Sequence, residues 1–279
     1  MIVILASDLP RLFELPAVQR AALGLLIGGV FLPLVGVLIV GLDIFTVRFA
    51  VMHVALLGIA VGLWIGVSPT TLGLVCCAVT GAAVAPLAGR PGGLAGPMGF
   101  VMTLSIALAL LVLSISGVNA NGAFGLLWGS IFAVRPADLV VLAVLAVVVL
   151  AVIARWHQAI ALLLFDREIA ACSGVRVGAL TMLTLVLVSV SIGASVRLTG
   201  ALLVDALTIL PALTARALTN SLRAMFITAV VVGVAGNTIG LLLALELDQP
   251  PGPVLVLVSG ALTAVSYMKR GFTNVPSFH

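Results

Sequence analysis

Long apolar runs that are almost free of charge constrain this chain more than any other feature of its sequence. Residues 18–40, 51–67 and 137–154 are three such runs, and others of similar length follow. About 20 apolar residues in a helix cross the hydrocarbon core of a bilayer. Only 8% of the 279 residues are charged, against about 25% in an ordinary soluble domain. The sequence therefore predicts a polytopic integral membrane protein of the all-α class, because lipid leaves open strands and loops without hydrogen-bond partners.

The apolar runs divide into nine candidate spans. These lie near residues 17–40, 48–66, 70–88, 98–117, 137–156, 177–196, 200–218, 223–245 and 252–268. Pro211 interrupts the segment 200–218 and makes it the least secure, so we expect a bundle of eight or nine transmembrane helices. Residues 17–270 are predicted to form a single transmembrane domain, between an N-terminal segment (1–16) and a C-terminal tail (271–279).

Basic residues are concentrated in alternate loops, which share one face of the membrane if every span crosses it. These loops hold Arg90, Arg155, His157, Arg167, Arg176, Arg216, Arg223, Lys269 and Arg270, whereas Arg135 and Arg197 are exceptions on the other side. Because positively charged loops stay in the cytoplasm, the loop 155–177 and the C-terminus are predicted to be cytoplasmic. The net charge of +4 then reflects orientation in the membrane and gives no reason to expect binding to nucleic acid.

The loop 155–177 has the pattern of a short helix with a cap at each end. Asp166 is a good N-cap, and Glu168 lies where a helix N-terminus favours negative charge. Gly174 suits the left-handed conformation that ends a helix. Such a helix can insert into a groove of a soluble partner, or it can be an ordinary surface helix that completes a long loop. The spacing alone leaves both interpretations open.

Several stretches, in the same order, resemble bacterial metal-type ABC permeases, which import zinc, manganese or iron. Residues 165–170 followed by Gly174 are similar to the cytoplasmic coupling segment of that family. Further stretches resemble other family motifs, namely 53–58, 129–139, 200–207 with 211–216, and 240–245 with 251–253. The resemblance covers about residues 20–270, and its motifs are specific jointly although each one alone is weak.

The resemblance implies a permease subunit of the bacterial plasma membrane, with no permanently bound cofactor and with zinc or manganese as the transported ion. The expected partners are an ATP-binding subunit, an extracellular metal-binding protein, membrane lipid and a second, identical permease copy. The residues expected to couple to the ATPase are Phe165, Asp166, Arg167, Glu168, Ala170 and Gly174. The chain lacks a Gly-x-x-x-x-Gly-Lys-Ser/Thr phosphate loop, so we expect it to have no enzymatic activity of its own.

Two ionisable residues inside predicted spans are candidates for the path of the metal. Asp205 lies in an apolar run six residues before Pro211, and a carboxylate at membrane depth is by default a functional hypothesis. Pro211 cannot donate a hydrogen bond to the Leu207 carbonyl, so we expect a helix kink there. His53 is the second candidate, since imidazole suits zinc, manganese and iron. We expect His53 and Asp205 to converge on a transient metal site, and the alternative is that both serve helix packing only.

The chain departs from the resembled family at three places. The family often has an acidic residue where this chain has Phe49, and paired basic residues where it has Leu42 and Asp43. Some members have a second histidine at the position of Thr103. These departures leave the identity of the metal open.

Other functions are alternatives to a free-ion ABC permease. A secondary transporter driven by a gradient needs no docking helix and usually shows internal repeats, and we find such a helix in the sequence but no repeats. A permease for a metal chelate is typically longer. An intramembrane enzyme is disfavoured, because neither His-Glu-x-x-His nor Gly-x-Ser-x-Gly occurs. Five other polar residues are expected in outer turns (Asn119, Asn121, Glu246, Asp248) or in helix packing (Asn237). The alternative for the outer residues is contact with the binding protein, and for Glu246 and Asp248 also receipt of a cation.

Overall fold

The structure is a computed structural model that describes residues 14–89, 93–116 and 131–273. Arg90, Asn119 and Asn121, for which loop positions are predicted, lie outside these residues. The described chain contains helices and no strand. Its α-helices are α1 (Pro16–Leu42), α2 (Phe45–Ile65), α3 (Pro69–Val84), α4 (Ala95–Ile115), α5 (Pro136–Phe165), α6 (Arg167–Cys172), α7 (Val177–Thr199), α8 (Ala201–Leu218), α9 (Leu222–Glu246) and α10 (Pro251–Thr273).

The predicted membrane helices are confirmed. Within the described residues, eight helices are long and apolar enough to cross a bilayer, and only α6 and α8 are not among them. Helix α8 is the segment that the sequence marks as least secure. It is 18 residues long and remains helical on both sides of Pro211. The outcome agrees with the expected eight or nine spans.

Helix α5 is longer than predicted. The sequence predicts that this span ends near Trp156, where polar residues begin, but the helix continues to Phe165. The regular helix is interrupted at Trp156 alone, whose backbone is not helical (φ −117°, ψ 22°). Beyond it the chain is apolar again, and Ile160 and Leu163 are buried. Two buried side chains three residues apart lie on one helix face, and their burial explains why the helix resumes.

The chain divides into two compact units. The first unit contains the described residues up to 37, residues 131–146 and the residues from 202 onward. The second unit contains the described residues between 38 and 116 together with 147–201. The first therefore holds most of α1 and α8 with all of α9 and α10, and the second holds α2, α3, α4, α6 and α7.

Helix α2 is the centre of the second unit. It packs against α3, α4 and α7. Leu56 and Ala60 of α2 form a buried cluster with Ala109 and Leu113 of α4. In each helix the two residues are four apart, so they lie on one face. These contacts hold α2, the helix that carries His53, inside the second unit.

In the first unit, α1 and α8 approach each other closely at Gly36. A Cβ atom at Gly36 would lie 1.8 Å from the carbonyl oxygen of Thr208, so only glycine fits between the two backbones. About three turns earlier on α1, the carbonyl of Leu25 accepts a hydrogen bond of 2.9 Å from Nδ2 of the buried Asn237 of α9. This is the packing role predicted for Asn237. Helix α1 thus contacts both α8 and α9.

We expect Gly36→Ala to destabilise the folded protein, because its methyl group would overlap the Thr208 carbonyl oxygen and force α1 and α8 apart. Overpacking of this kind costs about 1–3 kcal/mol, which should lower the midpoint of thermal unfolding in detergent. Gly99→Ala in α4 is the matched control, since no neighbouring atom lies within 4 Å of a Cβ there. Equal midpoints for the two variants would contradict the close approach.

Candidate functional site

Helix α6 begins where the sequence predicts it, because Asp166 caps it. The backbone of Asp166 is extended (φ −160°, ψ 129°). Its Oδ1 accepts hydrogen bonds from the N–H groups of Glu168 at 2.7 Å and Ile169 at 2.9 Å. These donors have no partner within a helix, so the cap stabilises the first turn and separates α6 from α5.

The other end of α6 is a Schellman motif at Gly174. Gly174 has a φ of +80°, which glycine adopts without steric cost from a Cβ. Its N–H donates to the carbonyl of Ala171 at 3.1 Å, and the N–H of Val175 donates to the carbonyl of Ala170 at 3.1 Å. This pair of bonds defines the motif. Both caps predicted for this helix are therefore present, although α6 has only 6 residues.

One side of α6 is open to a partner. Phe165, which directly precedes the cap, is 74% exposed, and Ile169 is 46% exposed. Glu168 is also exposed. We name these three residues the coupling face. Exposed large apolar side chains that lie together are candidates for a protein contact surface.

The other side of α6 is joined to the second unit. Ala170 is fully buried. The guanidinium of Arg167 donates from Nη1 to the carbonyl of Ala88, which follows α3, and from Nη2 to Oγ1 of Thr181 in α7 at 3.1 Å. One side chain thus connects α6 to the ends of two membrane helices. Hydrogen bonds from a charged donor contribute about 1.5–3 kcal/mol each, so this link resists displacement of α6.

The end of α5 that leads into α6 is also packed within the second unit. A Cβ at Gly41, near the end of α1, would lie 2.8 Å from Cδ2 of Leu164. Ile160 and Leu163 are buried on the same stretch. The segment from Ile160 through α6 therefore packs against the second unit, whereas the side chain of Phe165 is exposed.

His53 lies in α2 of the second unit and is partly buried. Its Nδ1 is 2.7 Å from the carbonyl oxygen of Phe49, one turn earlier. Because a carbonyl only accepts, Nδ1 carries the proton, and the lone pair of the neutral ring is on Nε2. A fixed tautomer with a basic Nε2 is the form in which histidine binds a metal ion.

Asp205 lies in α8 of the first unit and is partly buried, with its Oδ1 atom wholly enclosed. His53 belongs to the other unit, so the convergence of the two side chains stays a prediction. The described residues contain no group of three or more His, Cys, Asp or Glu side chains that could hold a metal ion.

Hydroxyl groups surround the part of α8 next to Pro211. The carbonyl of Leu210 accepts from Oγ1 of Thr214 at 2.8 Å and from Oγ1 of Thr263, in α10, at 3.2 Å. The two hydroxyl oxygens are 2.9 Å apart. Farther along, Nη1 of Arg270 donates to the carbonyl of Arg216 at 3.3 Å. Helix α10 therefore contacts the C-terminal half of α8, from Leu210 to Arg216, and these contacts lie C-terminal to Asp205 along the helix.

Arg48 is a buried charge that our reading of the sequence missed. It lies in α2, is 5% exposed, and its guanidinium carbon is 4.3 Å from the centre of the Phe49 ring. The available signal was a charged residue within an apolar run of spanning length, which by default marks a functional position. Its neighbour Phe49 stands at one of the positions where the sequence departs from the resembled family.

Comparisons with known proteins agree with the arrangement of these helices. The structure of PsaBC from Streptococcus pneumoniae in complex with Fab matches 95% of this chain and 95% of that chain, with a TM-score of 0.81 and 21% identity. At that identity the match establishes likeness of fold.

Curated relatives are membrane proteins of metal transport systems. The chain is 24% identical over 219 residues to the high-affinity zinc uptake system membrane protein ZnuB of Haemophilus influenzae, covering 78% of this chain and 84% of that protein. It is 26% identical over 259 residues to the manganese transport system membrane protein MntC of Halalkalibacterium halodurans, covering 92% and 88%.

A family comparison covers nearly the whole described chain. The match begins at residue 14 and ends at residue 270, so it includes both units, the capped helix α6 and the helices of His53 and Asp205. With its membrane helices and relatives of the same kind, the chain belongs to the ABC 3 transport family.

Proposed function

We propose that this chain is the membrane-spanning subunit of an importer for divalent transition-metal ions, zinc or manganese, that is powered by a separate ATPase. The observation that carries the proposal is helix α6, capped at both ends and held to the bundle by Arg167, with an exposed coupling face. The cargo is suggested by the printed functions of the relatives, zinc uptake and manganese transport. Both units act in this account as one permease domain over residues 17–270.

The mechanical path runs from the coupling face into the membrane. The ATPase grips Phe165, Glu168 and Ile169, and its nucleotide-driven closure pushes on α6. Arg167 transmits this push to the ends of α3 and α7 through the Ala88 carbonyl and the Thr181 hydroxyl. Because α6 is too short to be stable by itself, its caps and the Arg167 bonds give it the stiffness that force transmission requires.

The partners follow from the separation of ATP hydrolysis from ion transport. An ATP-binding subunit supplies energy on the cytoplasmic side, where the positive-inside rule places α6 and the C-terminus. An extracellular metal-binding protein delivers the ion on the opposite side. A second, identical copy of the chain completes the pore. No cofactor stays bound, because the metal is cargo.

The metal path uses His53 and Asp205 in this proposal. Nε2 of His53 and the carboxylate of Asp205 are ligand types suited to zinc and manganese. Two ligands hold an ion weakly, which suits a conduit, since conduction requires binding that is easily reversed. The Leu207 carbonyl, which receives no bond from Pro211, adds an oxygen on the same helix.

We expect two coupling variants to separate docking from force transmission. Phe165→Ala removes an exposed aromatic anchor, so the affinity for the ATPase should fall by about thirtyfold, the loss typical of an aromatic hot spot.

Arg167→Ala leaves the coupling face and the Asp166 cap in place, so the ATPase should still co-purify. ATP-driven uptake should drop by roughly tenfold or more, as expected for the loss of about 1.5–3 kcal/mol per bond. Co-purification and uptake by proteoliposomes are the two readouts.

The matched control for Arg167→Ala is Arg176→Ala, which removes an exposed arginine beyond the end of α6. It should retain both docking and uptake. Full uptake by Arg167→Ala, or loss of ATPase binding from that variant alone, would show that Arg167 is not the link that transmits force.

We expect His53→Ala and Asp205→Asn each to reduce zinc or manganese uptake, because each removes a ligand from the path. The magnitude should be roughly tenfold or more, as for loss of a group that a metal contacts. The controls are His157→Ala and Asp138→Asn, an exposed histidine and a partly buried carboxylate of α5. Uptake should be measured in proteoliposomes with a radioactive isotope of the metal or with a metal indicator enclosed in the vesicles. Normal uptake in both His53→Ala and Asp205→Asn would remove this path.

A further inference from the structure

Helix α5 contains a short stretch that the described chain leaves exposed. Residues 154–158 are exposed one after the other. The stretch is centred on Trp156, where the backbone leaves the helical region. Burial resumes at Ile160.

The position of this stretch along α5 matches the edge of the bilayer. From Pro136 to Trp156 an α-helix rises about 30 Å at about 1.5 Å per residue, which is about the thickness of the hydrocarbon core. The backbone leaves the helical region at Trp156, and tryptophan is enriched at membrane–water boundaries. Residues 154–158 therefore lie at the level of the lipid headgroups.

The chemistry of the stretch suits an anionic headgroup. The guanidinium carbon of Arg155 is 5.7 Å from the centre of the Trp156 ring. No acidic residue occurs between Asp138 and Asp166, so the charge of Arg155 has no acidic neighbour along this helix. A guanidinium binds phosphate through paired N–H bonds, and an indole ring is suited to the boundary between headgroups and acyl chains.

We propose that Arg155 and Trp156 form a binding site for the phosphate of an anionic phospholipid headgroup. The bound headgroup anchors α5 at the residue where its helix is interrupted. The segment beyond this point packs on the second unit and continues into α6, so the anchor is a fixed point next to the coupling segment. The inference concerns lipid and stands independently of the cargo and of the ATPase.

The first test locates Trp156 relative to lipid. Trp64→Phe and Trp128→Phe together leave Trp156 as the single tryptophan. In nanodiscs of brominated phosphatidylglycerol, bromine near the headgroup end of the acyl chain should quench its fluorescence more strongly than bromine near the terminal methyl. Absence of quenching would mean that a second copy covers the site, and stronger quenching by the deep bromine would place it inside the hydrocarbon core. Either result overturns the proposal.

The second test measures the headgroup preference. Phosphatidylglycerol is titrated into phosphatidylcholine nanodiscs, and the fluorescence of Trp156 in the single-tryptophan protein reports binding. Arg155→Gln should weaken the response by roughly fivefold, as expected for one basic residue at an anionic surface. Arg176→Gln, which removes an exposed arginine farther along the chain, should leave it unchanged. Equal responses from the two variants would overturn the proposal, and neither measurement depends on transport.

Discussion

The lack of water in the hydrocarbon core is the constraint on which the rest of this structure depends. Backbone N–H and C=O groups there must find partners within their own segment, so every long apolar run is a helix. The hydrophobic effect does not drive such helices together in lipid, and close packing replaces it. Among the described glycines, the contact of Gly36 with the Thr208 carbonyl oxygen is the tightest example. Polar side chains within the membrane helices are exceptions that need a structural or functional reason. Asn237, Asp205 and Arg48 are three of them.

Helix α6 stands apart from this constraint, and its stability has a different origin. A helix of 6 residues is far below the length of about 12–15 residues at which isolated helices become marginally stable. The Asp166 cap contributes about 1 kcal/mol, and the Arg167 bonds join the helix to α3 and α7. Its order therefore comes from attachment to the membrane helices. In the proposed function, this attachment is what would let α6 pass on a force applied at Phe165 without unfolding.

The sequence predicted the helices well because the bilayer imposes a single length scale, and it predicted α6 because capping residues act locally. Asp166 and Gly174 lie where their side chain and backbone preferences require. The sequence could not reveal that Arg167 and Ala170 face the bundle while Phe165 faces outward, since the partners Ala88 and Thr181 are distant in sequence. It also ended α5 too early, because the polar residues around Trp156 do not end the helix. Burial of Ile160 and Leu163, which is tertiary, carries the helix onward.

The central claim is that a separate motor drives this chain through α6. The most direct measurement is metal accumulation in proteoliposomes that contain the purified chain, with or without its ATP-binding subunit and the metal-binding protein. The account predicts uptake that requires ATP and the complete assembly and that proceeds without a proton or sodium gradient. Uptake by the chain alone, driven by a gradient and unaffected by ATP, would contradict it.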